Sequence, residues 1–170
     1  MLLVAAILVF LFICSSLFAY FLIDSFFGGL DFTTRPLVVS EVVKIIKQRH
    51  LESGRFYDLG SARGNFAIKI AKALPNLQVY GIDDNWFRIG FAKARGIFLK
   101  NLNFTIQDIF KANVSLANIL YIYLPQELMP NLQSKLQKEL KNGAIVITNR
   151  VSFPSWQPIE KVNQLFIYQQ

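Results

Sequence analysis

The sequence predicts an α/β protein, a doubly wound and mostly parallel sheet of about six strands, preceded by one N-terminal helix long enough to cross a bilayer. Three observations carry this. Residues 1–23 contain no charged side chain. From Arg35 onward, helix-like and strand-like stretches alternate. Glycines and acids cluster just after the expected strands, where such sheets bind ligands.

The apolar run comes first. Met1 to Ile23 as a helix spans about 34 Å, slightly more than the hydrocarbon core of a bilayer. A secretory signal would need a basic start, a shorter apolar core and a small-residue cleavage site, and none stands out. No Lys or Arg precedes the run, whereas Arg35, Lys44, Lys47 and Arg49 follow it. The positive-inside rule therefore predicts a single-pass anchor with the folded domain in the cytoplasm. Asp24 to Leu30 reads as an interfacial exit with a flexible Gly28-Gly29 pair, within a juxtamembrane linker over 24–35. The folded domain occupies 36–170.

Within that domain Pro36 opens a helix through about Arg49, whose apolar face includes Val38, Val42, Ile45 and Ile46. Arg55 to Leu59 is a short strand, and a turn at Gly60 to Gly64 leads into a helix carrying Phe66, Ile70, Ala71 and Leu74. Pro75 and Asn76 end it. Leu77 to Ile82 is the second strand and Trp86 to about Leu99 the next helix. Asn103 to Ile106 and Asn118 to Tyr123 are the third and fourth strands. Leu128, Leu132, Leu136 and Leu140 recur every four residues on one helix face, which Asn142-Gly143 stops. Ala144 to Thr148 is the fifth strand and Leu165 to Tyr168 the sixth, with a seventh short or missing.

Composition removes several chemistries. Of 170 residues only Cys14 is a cysteine and only His50 a histidine. An intramolecular disulfide, a Cys-rich zinc cluster and a Cys-x-x-Cys redox motif are excluded, and no metal site is expected. His50 lies in Lys-Gln-Arg-His-Leu, the setting of a solvated helix end. The net charge is +7, and beyond residue 31 there are 18 basic against 9 acidic side chains. A domain this basic suits anionic headgroups or an acidic partner.

The strand ends carry the chemistry. After the first comes Asp58-Leu59-Gly60-Ser61-Ala62-Arg63-Gly64, whose glycines permit a tight turn and close approach of backbone to ligand. It is neither a phosphate-binding P-loop nor the Gly-x-Gly-x-x-Gly spacing. After the second, Gly81-Ile82-Asp83-Asp84 places carboxylates where such folds hold ribose hydroxyls. After the third, Gln107-Asp108-Ile109 offers an acceptor for an exocyclic amine. Each alone also fits a turn or a helix cap. In order, they describe a nucleoside pocket.

These residues resemble the class I, seven-β-strand methyltransferases that use S-adenosyl-L-methionine. The closer likeness is to the small membrane-anchored protein-lysine methyltransferases of mitochondria and their prokaryotic relatives. It is carried by Tyr57 to Ser61, Gln107 to Lys111, Leu124-Pro125-Gln126-Glu127-Leu128-Met129-Pro130, and Arg150-Val151-Ser152-Phe153-Pro154-Ser155-Trp156-Gln157-Pro158. It implies a Rossmann-like fold, S-adenosyl-L-methionine as cofactor and a protein substrate. Asp58, Gly60, Ser61, Gly64, Asp83, Asp84, Asp108 and Ile109 would bind the cofactor. Tyr123 would line the methyl channel, Pro125 would shape the loop behind it, and Arg150, Phe153 and Trp156 would form the substrate rim. Ala62 and Arg63 depart from the usual Gly and Asp, and the added methyl fits where the local φ is negative. Asn118 stands where relatives often have an acid. Nucleic-acid and small-molecule methylation, and a membrane-bound module without catalysis, are the alternatives. Tyr123-Leu124-Pro125-Gln126 lacks the Asp/Asn-Pro-Pro-aromatic pattern of nucleic-acid amino-methylating enzymes.

Overall fold

A computed structural model describes residues 2–27 and 35–170. The chain divides into two compact units, 1–32 and 33–170. The first contains helix α1, Leu2–Phe27. Over Leu2–Leu22 its mean hydropathy is 2.8 and none of it is buried. Ser15 Oγ donates to the Phe12 carbonyl at 2.9 Å, so that hydroxyl needs no partner outside the helix. Helix geometry continues past Ile23 through Phe27, whereas Gly28-Gly29 and most of the expected linker lie outside the described residues.

In the second unit, α2 (Pro36–Gln48) starts at a proline, which loses nothing at a position where the backbone N–H has no helical partner. The strands are β1 (Arg55–Leu59), β2 (Gln78–Asp83), β3 (Leu102–Ile106), β4 (Ile119–Ile122), β5 (Ile145–Asn149), β6 (Glu160–Val162) and β7 (Leu165–Gln169). Between them lie α3 (Asn65–Ala73), α4 (Trp86–Gly96) and α5 (Met129–Glu139). The seven strands form one sheet in the order β3-β2-β1-β4-β5-β7-β6. The first five pair in parallel, β7 returns antiparallel to β5, and β6 pairs antiparallel to β7.

The expected six strands are thus joined by a seventh, and it precedes the terminal strand instead of following it. Glu160–Val162 is short and two of its three residues are exposed, so it has no apolar alternation for the sequence to display. Helix α4 also stops at Gly96, before Leu99. There, added bulk on Gly96 would meet Leu102 Cδ2 at 3.0 Å, so the chain turns where the strand that follows packs closely.

Helices α2, α3 and α4 pack one face of the sheet through Val42, Ile46, Phe66, Ile70 and Ile89. Helix α5 packs the other through Met129, Leu132 and Leu136 against Leu59, Leu120 and Val146. Asn118 Oδ1 accepts the Arg55 N–H at 3.0 Å, so this amide ties the starts of β1 and β4 at the edge away from the strand carboxyl ends. The order β3-β2-β1-β4 places the reversal of strand order between β1 and β4, and ligands bind such sheets outside the carboxyl ends beside that point.

Candidate functional site

Three sequence-selected acids stand at successive strand ends on that edge. Asp58 in β1 aligns with Gly81 of β2 and with Tyr121 of β4. Its side chain is 3% exposed. The Ala67 N–H, in the first turn of α3, donates to it, and its Oδ2 is buried with no partner. Burial, and then the nearby Asp83 carboxylate, push its pKa up to about 7. Ser61 Oγ is a second buried oxygen without a partner. Orphaned polar atoms at this depth are costly unless a ligand meets them.

The turn between β1 and α3 is built around glycine geometry. Gly60 and Gly64 have φ of +79° and +72°. A Cβ on Gly60 would stand 2.6 Å from Leu124 Cδ2, and one on Gly64 2.4 Å from Phe104 Cζ. The Gly60 and Ser61 N–H groups donate to the Ile82 carbonyl at 2.8 and 2.9 Å, which locks the turn against the end of β2. Ala62 is the correction here. Its φ is +46°, so the methyl sits in the left-handed region and not at negative φ. Its N–H donates to Asp83 Oδ2 at 2.9 Å, and that bond holds the strained residue in place.

Asp83 is buried and organises the second strand end. Its Oδ1 accepts the Asn85 N–H at 3.0 Å while Oδ2 takes Ala62. Burial raises its pKa, and these two N–H donors and Arg88 oppose the rise. Each oxygen keeps a second lone pair for a further donor. Asp84, by contrast, is exposed. Asn85, unremarked in the sequence, caps α4 by accepting from Phe87 and Arg88 N–H groups, both at 3.0 Å. Asp108 Oδ1 accepts the Phe110 N–H at 2.8 Å, which shapes the turn after β3. Its second oxygen and the half-buried Ile109 remain at the same edge.

Tyr123 and Pro125 follow β4, both half-buried. The Arg150 guanidinium carbon lies 5.9 Å from the Tyr123 ring centroid. Arg150 itself is exposed, has φ +66°, and is held by its N–H donating to the Gln164 carbonyl at 2.8 Å. The expected rim divides at this point. Phe153 is 4% exposed and packs on Trp156 and Tyr168, with ring centroids 5.4 and 5.0 Å away. Its N–H donates to Tyr168 Oη at 3.1 Å. Phe153 is therefore part of the α5-side core, because the turn after Arg150 carries the chain to the opposite face. Trp156 is half-buried beside it.

One polar pair escaped sequence reasoning. Asn149, at the end of β5, donates from Nδ2 to Tyr121 Oη at 2.8 Å, and its Oδ1 is buried without a partner. The Tyr121 ring stacks on Phe66 of α3 at 3.8 Å. Asp58, Tyr121 and Asn149 thus form a buried polar row on the α3 face. The apolar look of Ile-Leu-Tyr-Ile and Ile-Val-Ile-Thr-Asn hid it, since β-strand periodicity marks a face but not which hydroxyl meets which amide.

Known proteins resemble the chain in sequence and in fold. A lysine N-methyltransferase from Rattus norvegicus, named for an ATP synthase component, is 32% identical over 127 residues, 72% of this chain and 57% of the relative. An adenine nucleotide translocase lysine N-methyltransferase from Mus musculus is 26% identical over 129 residues, 74% of this chain and 55% of the relative. The chain therefore spans about half the length of these curated relatives. Among solved structures, an RNA methyltransferase from Salinibacter ruber with S-adenosyl-L-homocysteine superposes with a TM-score of 0.73 at 21% identity. The match covers 81% of this chain and 92% of that one, which shows the shared fold. The model of the ANTKMT methyltransferase domain matches residues 58–160, spanning β1 to β6, and the chain belongs to that family.

Proposed function

We propose that this chain is a membrane-anchored protein-lysine methyltransferase that uses S-adenosyl-L-methionine. The observation that carries the reading is the pair of orphaned buried oxygens, Asp58 Oδ2 and Ser61 Oγ, beneath a left-handed turn at the carboxyl ends of β1 and β2. An acidic, dry acceptor fits the ammonium of the cofactor's amino acid portion. Asp83, with lone pairs to spare, suits the two ribose hydroxyls. The remaining oxygen of Asp108 and the Ile109 side chain suit the adenine amine and ring.

When bound, the cofactor supplies a methyl group activated on a sulfonium, so the difficult chemistry is its own. The chain's task is alignment and exclusion of water. Tyr123 stands beside the β1 turn, where it can orient an incoming amine. Arg150, over the Tyr123 ring, and Pro125 border the approach, while Phe153 and Trp156 brace the loop from below. No imidazole or thiol is required. The lysine must arrive uncharged, which removal of water from around the amine favours.

Helix α1 anchors the domain, so the acceptor is a lysine near a bilayer surface, on the cytoplasmic side by charge bias. The test is to incubate membranes with methyl-labelled cofactor and full-length protein. Label on protein lysines is the expected result. Label confined to RNA or lipid overturns the assignment of the acceptor. Absence of calorimetric heat at millimolar cofactor favours a binding module instead.

A further inference from the structure

Helix α4 is apolar on two sides. Ile89, Ala92 and Gly96 are buried against the sheet, and at 3.6 residues per turn that accounts for one stripe. Phe87, Phe91, Ala94 and Phe98, the last just past the helix end, follow at spacings of four, three and four, which makes a second stripe nearly opposite the first. An ordinary surface helix carries charges there. Instead Phe98 is 93% exposed, Ile97 is 72% exposed and Trp86, at the helix start, is 60% exposed. A Cβ built on Gly90 would meet nothing within 4 Å.

Basic groups flank this stripe. Lys93 and Lys100 are exposed, while Arg95 lies over the Phe91 ring at 5.6 Å and donates from Nη1 to Asn65 Oδ1 at 2.7 Å and to the Arg63 carbonyl at 3.2 Å. No acidic residue occurs from Asn85 to Gln107. Exposed aromatic side chains along a helical segment that carries basic and no acidic residues are the composition of a helix that lies in a membrane interface. A protein partner would ordinarily be met with mixed charges and a concave or flat patch. We propose that the outer face of α4 is a second membrane contact, lying on an anionic lipid surface with Phe91 and Phe98 at headgroup depth and Lys93 and Lys100 on the phosphates. This rests on the anchor reading of α1 and adds to it a fixed attitude of the domain on the bilayer. Such an attitude would hold the strand carboxyl ends at a constant height for acceptor lysines.

The experiment uses the full chain in phosphatidylcholine vesicles with and without phosphatidylglycerol. In a Cys14→Ser background, an environment-sensitive fluorophore is placed at Phe98→Cys, and separately at Lys138→Cys on the outward side of α5. Both positions are at the surface, so neither label disturbs packing. The expected result is a blue-shifted probe at position 98 that loses emission to lipids brominated high on their acyl chains, more strongly with phosphatidylglycerol present. The probe at position 138 stays water-like and unquenched. Adding Lys93→Glu and Lys100→Glu should reduce the quenching at position 98 several-fold. A chain that floats with vesicles while position 98 stays water-like overturns the α4 contact and leaves the anchor intact. A chain that does not float overturns both. A blue shift without lipid quenching means that protein covers the stripe and overturns the proposal, as does equal quenching in both lipids.

Discussion

Asp58 concentrates the electrostatics of the proposed site in one side chain. Its folded pKa of about 7 stands above the usual carboxylate range because burial and Asp83 both disfavour the charged form. An acid with a raised folded pKa makes the folded state hold a proton that the unfolded chain has released. Its contribution to stability is therefore greatest at low pH, falls as pH rises from about 4 to the folded value, and is level above it. A cationic amine bound at Oδ2 reverses the preference, so binding expels the proton. Cofactor affinity should rise with pH up to about 7 and then level off, with proton release seen by calorimetry in two buffers of different ionisation heat. Asp58→Asn should abolish that release. Asp83→Ala should weaken cofactor binding by about 1–3 kcal/mol in the same titration, since it removes an acceptor for ribose hydroxyls and frees the Ala62 N–H. Ala62 stores strain that glycine would not. Ala62→Gly should raise stability by up to about 1 kcal/mol, read as a higher thermal midpoint, after allowance for glycine's freedom in the unfolded chain.

Helix α3 is where a turn and a helix are made to serve one pocket. Its cap is Gly64 at φ +72°, with Phe104 of β3 and Ala92 of α4 pressed against the missing Cβ. Phe66 in its first turn stacks on Tyr121, and the Ala67 N–H meets Asp58. Gly64→Ala should cost about 3 kcal/mol in denaturant unfolding, combining left-handed strain with overpacking. It should also reduce cofactor affinity, because the turn must shift to admit the methyl. The β6–β7 hairpin acts similarly on Arg150. Its Gln164 carbonyl accepts the Arg150 N–H, and Arg150 Nε donates to Gln164 Oε1 at 3.3 Å, so the hairpin turn beside a short edge strand aims a cation at Tyr123. A short polar strand can do this without a hydrophobic signature.

At the scale of the whole molecule, an apolar helix and a basic α/β domain are joined in one chain, and each part has its own consequence. Deleting residues 2–27 should leave cofactor affinity unchanged while lowering labelling of membrane-embedded acceptors by about 100-fold, through loss of effective concentration. Radiometric labelling of vesicles against a free lysine peptide checks this, because the peptide rate should not change. The sequence by itself determined the α/β class, the position of the parallel strands, the uncharged N-terminal run and the acids at three strand ends. These follow from periodicity, from glycine placement and from the absence of charge, all of which are local. Only tertiary structure decided that Ala62 adopts positive φ, that Phe153 turns into the core while Arg150 turns toward Tyr123, that Asn149 and Tyr121 meet, and that α4 shows aromatic residues outward. Each of those depends on which residues from distant segments share a face, and pairing across a sheet is not written in any one stretch of chain.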